Sequence, residues 1–144
     1  MATSVAFIEA AFAKFEKDMS ITEQRFLVRA TRAAYKHIMN AWPMWSGFSK
    51  ANNRISTVGA PIRALVPAKR IAREGAHFAQ AAATERSQLA KLSRLPISKK
   101  PRARTITIGN TVDYAADLGD KGSARGFQIY ATAINVARMA VRRG

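Results

Sequence analysis

Asp113, Asp117 and Asp120 put three carboxylates within eight residues, and such a grouping could bind a divalent cation. A calcium loop, however, needs oxygen ligands at alternating positions and a closing bidentate Glu, and this segment has neither. The acids read instead as turn and helix-start residues: Asp117 and Asp120 flank a turn, and Asp113 precedes a helix start, where negative charge is favourable. The two histidines, His37 and His77, lack a second His, Cys or carboxylate at metal-ligand spacing, so each reads as a packed or surface histidine. Ser46 and Ser123 have no His–acid pairing that would activate a nucleophile. Gly119, Gly122 and Gly126 precede no Walker lysine and sit in no parallel-sheet unit, so positive backbone torsions in a tight loop explain them. The expectation is a protein that is not an enzyme and uses no cofactor or metal.

Cations are the chemistry the chain has in excess, with 24 Lys and Arg against 9 Asp and Glu and a formal charge of +15. Between Gln24 and Val112 there are 17 cations and two acids, Glu74 and Glu85, so this block carries the whole excess. Arg25, Arg29, Arg32 and Lys36 recur at helical spacing and form a basic ridge. Lys99, Lys100, Arg102 and Arg104 form the densest run. Both groups suit a polyanion or an acidic protein neighbour, and both also suit a solvated surface. No aromatic is interleaved with the dense run, which argues against a base-stacking single-strand site. Scattered charge fits diffuse attraction to a duplex backbone without base reading.

A length of 144 residues with 48% hydrophobic content suits one domain, residues 1–144, able to bury roughly two-thirds of its unfolded surface. The absence of Cys excludes disulfides and thiolate sites. Glu9, Glu16 and Asp18 interrupt the apolar start, unlike a signal peptide, and no apolar run reaches membrane-spanning length. A soluble, untargeted product made in the cytoplasm is expected, with no membrane contact.

The elements that would position these groups are mostly helical. Val5, Ile8, Phe12, Phe15 and Met19 lie on one stripe and predict a first helix. Ser20-Ile21-Thr22-Glu23 fits a capping box opening a second, with Phe26, Ala30, Ala33, His37 and Ala41 as its apolar side and Pro43 and Gly47 ending it. Residues 1–42 thus form a helical N-terminal part. A strand is expected over 51–58 and a short partner strand over Ile62–Val66. Ala68–Leu92 favours helix, interrupted at Gly75, with Leu89, Leu92 and Leu95 docking its end on the core. Residues 96–104 read as an exposed basic connector. Ile106 and Ile108 alternate with Thr105 and Thr107 as a strand with one buried side. The last helix, Phe127–Arg142, has two apolar rows, Phe127, Tyr130, Ile134 and Val141 on one and Ile129, Ala133, Val136 and Ala140 on the other. The second row invites a second partner.

Thr105–Phe127 carries a more specific pattern: a strand ending in Asn110, then Val112-x-Tyr114-Ala115-x-x-Leu118, then a loop with Gly122, Ser123 and Gly126 that opens onto the final helix. This segment resembles the tail-completion or head-tail joining (neck) family of long-tailed bacteriophages. The stretch Ser46–Ser56 is similar to that family's Gly turn and basic-aromatic strand, whereas Ala68–Leu95 is longer than the family's compact pattern. The resemblance implies an α+β domain with long N-terminal helices, a small antiparallel or mixed β-sheet and a C-terminal helix packed on the sheet, residues 105–144 supplying the strand, Gly loop and helix.

It further implies a structural virion protein forming a homo-oligomeric ring, a hexamer, at the head-tail interface. The partners would be a portal-side connector or head-closure protein, a tail tube or tail terminator protein, and packaged duplex DNA. Asn110, Tyr114, Leu118, Gly122, Phe127, Tyr130, Ile134 and Val141 are the candidate interface residues. Arg25, Arg29, Arg32, Lys36, Lys99, Lys100, Arg102 and Arg104 are candidates to face DNA or an acidic partner. Tyr114 suits a joint between loop and sheet or between subunits, and equally a core tyrosine. Asn110 can cap the turn that follows it. The alternative reading is a small basic DNA-binding protein acting through nonspecific phosphate contacts, although no recognition-helix pattern supports it.

Overall fold

A computed structural model describes residues 9–11, 20–42, 46–57, 71–99, 106–110 and 125–143. In chain order the elements are β1 (Glu9–Ala11), α1 (Ile21–Ala41), α2 (Phe48–Ala51), β2 (Asn53–Ser56), α3 (Phe78–Ser93), β3 (Thr107–Asn110) and α4 (Arg125–Arg143). The fold is α+β, mostly helical, with a small antiparallel sheet and a C-terminal helix.

Local signals set the ends of α1. Ser20 Oγ accepts from the Glu23 amide at 3.1 Å, and Glu23 Oε1 accepts from the Ser20 amide at 3.3 Å, closing the expected capping box. At the other end Trp42 takes an extended conformation (φ −67°, ψ 129°), as the residue before Pro43 must to avoid its ring.

The buried face of α1 is not the expected row. Gln24, Leu27, Thr31, Ala34, Tyr35 and Ile38 point inward; of Phe26, Ala30, Ala33, His37 and Ala41, only Ala30 is buried. Two polar residues disguise the true row, and local or long-range bonds satisfy both. Thr31 Oγ1 donates to Leu27 O at 2.8 Å, and Gln24 bonds the backbone of Ser98. Burial of bonded polar groups carries little penalty, so the larger Leu27, Tyr35 and Ile38 decide which side faces in.

The first predicted helix is corrected at Glu9–Ala11, which form a strand. Sheet pairing overrides the helical spacing there, because β1 supplies β3 with its second neighbour. The order is β1-β3-β2, with Glu9 opposite Gly109 and Ala11 opposite Thr107 on one side. On the other side Asn53 faces Asn110 and Ile55 faces Ile108. β3 is therefore central, and Thr107 to Asn110 are all buried, not buried on one side only as its alternation suggests. Of the helix expected over 68–92, residues 71–77 are not helical and α3 begins at Phe78, after Gly75 at φ 75°, while 68–70 lie outside the described residues. The expected strand over 51–58 is shortened to Asn53–Ser56, and Phe48–Ala51 is helical. The partner strand expected at Ile62–Val66 lies outside the described residues.

One core joins these elements: Leu27, Tyr35, Ile38, Met39 and Trp42 from α1 and its cap, Ile55, Ile106 and Ile108 from the sheet region, Leu92 from α3, and Ile129, Ala133 and Ala137 from α4. Leu89 and Leu95 pack against it, as their spacing predicts. Each fully buried isoleucine contributes roughly 1.5–3 kcal/mol of transfer free energy. The most extensive helix packing is α1 on α4, with Ala30 and Ala34 buried on one helix and Ala133 and Ala137 on the other.

Candidate functional site

Asn110 ends β3, as its place in the sequence pattern requires, and is 0% exposed. Its side-chain amide donates to Ser49 O at 2.8 Å and to Asn53 Oδ1 at 3.0 Å. These bonds reach back to α2 and β2, so Asn110 fastens strand to strand within one chain. The turn it was expected to cap lies outside the described residues. Within the single chain its side chain is fully buried.

The same corner holds further buried bonds. Trp42 Nε1 donates to Ser49 Oγ at 3.0 Å, and Asn52 Nδ2 donates to Phe48 O at 2.8 Å. Gly47 makes the corner possible at φ 87°, where a Cβ would lie 2.9 Å from the His77 carbonyl carbon. Of the two placements its isolation in sequence allows, packed or surface, His77 is packed. Its Nε2 accepts the Ile71 amide at 2.9 Å, which leaves Nδ1 to donate to Gln80 Oε1 at 2.6 Å, and its ring meets Phe48 edge-on at 5.0 Å.

Among the described residues β2 is an edge strand, and helix side chains close its outer edge. Tyr35 OH donates to Asn53 O at 2.8 Å, the Ile55 amide donates to Gln88 Oε1 at 2.8 Å, and Lys91 Nζ donates to Ile55 O at 2.9 Å. A bonded edge cannot template another strand. Burial, followed by the Glu85 carboxylate, pushes the Tyr35 phenol well above its ordinary range. Desolvation, followed by the nearby Arg54 guanidinium, holds Lys91 below the usual lysine value. None of these edge-closing side chains was singled out from the sequence. Tyr35, at a helical position with bulk and one hydroxyl, was the available signal.

The basic ridge is real as geometry. Arg25, Arg29 and Lys36 are exposed on the side of α1 away from the core, with Arg29 lying 5.6 Å over the Phe26 ring. Arg32 is half-buried and donates to Ser93 Oγ at 2.9 Å, setting the ridge beside the end of α3, where Arg94 is exposed. Lys99 is exposed, whereas Lys100, Arg102 and Arg104 lie outside the described residues. The connector that carries them does not start free: Ser98 is bonded to Gln24 at both its amide and its carbonyl, at 3.0 and 3.4 Å.

Tyr114, Leu118 and Gly122 also lie outside the described residues. Phe127, Tyr130 and Val141 fall within α4. Of the helix's two apolar rows, Ile129 and Ala133 face the core, Val136 and Ala140 are half-buried, and the other row lies about a quarter turn away, with Ile134 half-buried. On the opposite flank Met139 is 48% exposed, a position the row pattern omits.

Asn40, Lys50, Phe78, Ala81, Ala82 and Glu85 line a shallow cleft of about 230 Å³, in which Lys50 and Glu85 are the ionisable side chains. Among the described residues no three His, Cys, Asp or Glu side chains are grouped to hold a metal ion, and no helix is long and apolar enough to cross a membrane. Set against protein-family models, curated proteins and solved structures, the chain finds no match in any of the three.

Proposed function

We propose that this chain is a structural subunit of a bacteriophage neck, assembling as a homo-oligomeric ring, a hexamer, between the head connector and the tail. The observation that carries this reading is the division of labour on α4. Ile129 and Ala133 of one apolar row, with Ala137 beside them, are used against the chain's own core. In the row a quarter turn away Ile134 is half-buried, and a second copy rotated about a ring axis would cover it. The resemblance of Thr105–Phe127 to neck proteins supports the same reading, with Asn110 acting inside the subunit to hold the strand from which that segment departs.

A second reading, a basic protein that binds duplex DNA as a monomer, is favoured by Arg25, Arg29 and Lys36 standing exposed in one line. In the ring reading the same line faces the DNA path or an acidic neighbour. Native mass measurement of the purified chain and of the chain within isolated particles separates the two. A single closed oligomer in the particle, lost on Ile134→Glu, is the expected result. A monomer in both preparations would overturn the ring.

A further inference from the structure

The sheet face opposite Ile55 and Ile108 carries different chemistry. Side chains two apart on a strand share a face, so Arg54 and Ser56 lie together on β2, opposite Gly109 and Thr107 of β3. Thr107 and Gly109 are buried, and Ser56 is 8% exposed. Arg54 Nε and Ser56 Oγ are both sealed from solvent, and neither has a hydrogen-bond partner among the described residues. Buried polar atoms are nearly always bonded, so two such donors on adjacent same-face positions call for a common acceptor. Lys91 adds a second cation at the strand edge, held there by its bonds to Ile55 O and Gln88 Oε1 at 2.9 and 3.3 Å.

We propose that Arg54 and Ser56, with Lys91 at the rim, form a receptor for a carboxylate group on this face of the sheet. The Nε edge of a guanidinium offers two parallel N–H donors, which match the two oxygens of a planar carboxylate. The Ser56 hydroxyl can supply a third bond to the same group. Gly109 contributes no side chain between the outer strands, so the space beside Arg54 is not filled from β3. Two sources could bring the carboxylate. One is the chain itself, since Glu9 pairs with Gly109 and so occupies the register position across it from Arg54. The other is an acidic side chain of a second molecule, reaching in past exposed Lys91. The receptor stands independently of the ring reading, because it requires only the β2–β3 pairing.

Nitrogen-15 NMR of the Arg54 Nε–H group tests this, with sodium acetate as the probe and sodium chloride at equal ionic strength as the control. If the carboxylate comes from outside, acetate shifts the Arg54 resonance saturably in the wild-type chain, Ser56→Ala weakens that response about fivefold to tenfold, and Glu9→Gln leaves it unchanged. If Glu9 supplies it, acetate is inert on the wild-type chain; Glu9→Gln alone displaces the resonance and makes the acetate response appear. An acetate response no different from chloride in both the wild-type and Glu9→Gln chains, with the resonance unmoved between them, overturns the proposal. The backbone amide spectrum of each variant establishes that it is folded, so a lost response is not a lost structure.

Discussion

Asn53 and Asn110 face each other across the β2–β3 ladder, both 0% exposed, and the Asn110 amide donates to Asn53 Oδ1 at 3.0 Å. The same amide also holds Ser49 O, so the consecutive elements α2 and β2 are both tied to distant β3 at one side chain. Asn110→Leu keeps the volume and removes both donations. It is expected to destabilise the chain by about 1–3 kcal/mol, read as a lower urea midpoint at unchanged slope. A midpoint equal to wild type would mean that the amide is not a tie.

Tyr35 makes stability depend on alkaline pH. Its phenol is raised in the folded chain, first by burial and then by Glu85, so its contribution is complete below the ordinary tyrosine pKa. Above about pH 10 the unfolded chain loses that proton while the folded chain keeps it, and stability falls by about 1.4 kcal/mol per pH unit. Lys91, whose pKa is lowered, works with the opposite sign, so the informative quantity is the difference between wild type and Tyr35→Phe. That variant loses about 0.5–1.5 kcal/mol at neutral pH with the bond to Asn53 O, and the gap narrows as pH rises past 10. A constant gap in urea melts across that range would count against the assignment.

Gly47 and Gly75 both have positive φ, 87° and 75°, but only Gly47 is crowded. At Gly75 the nearest atoms to an added Cβ, on Phe78, are 3.6 Å away. Gly75→Ala is expected to lose about 1–2 kcal/mol from backbone strain alone. Gly47→Ala should lose more, since the methyl group also meets the His77 carbonyl at 2.9 and 3.0 Å. Thermal melts of the two variants give the order directly, and equal losses would contradict the close approach.

The ridge on α1 has a readout of its own. Replacing Arg25, Arg29 and Lys36 with Gln removes three exposed cations and no described hydrogen bond. Folding stability should change by less than about 0.5 kcal/mol per site. If the ridge meets duplex phosphates, the slope of log affinity against log salt should become shallower by about 2 to 3. Fluorescence anisotropy with a labelled duplex measures this, and an unchanged slope would move the DNA contact elsewhere on the molecule.

What the sequence determined is what short-range chemistry controls. The Ser20–Glu23 box starts α1, Pro43 sets its end, Gly75 marks a turn shortly before α3 begins, and the Ile106–Ile108 alternation marks β3 up to Asn110, because each depends on residues a few positions apart. The ridge cations also followed from spacing alone. Tertiary structure decided the rest. Glu9–Ala11 carry a helical pattern yet pair as a strand, since the partner that favours this lies about a hundred residues onward in β3. The inward row of α1 contains Gln24 and Thr31, which count as polar in a pattern but are bonded in the core. Asn110 could be seen as important from its place in a motif, but its partners at Ser49 and Asn53 could not, because a hydrogen bond between distant segments leaves no periodicity in the chain. The Arg54–Ser56 face emerged the same way: it took the register with β3 to show that two adjacent same-face donors are sealed beside a glycine.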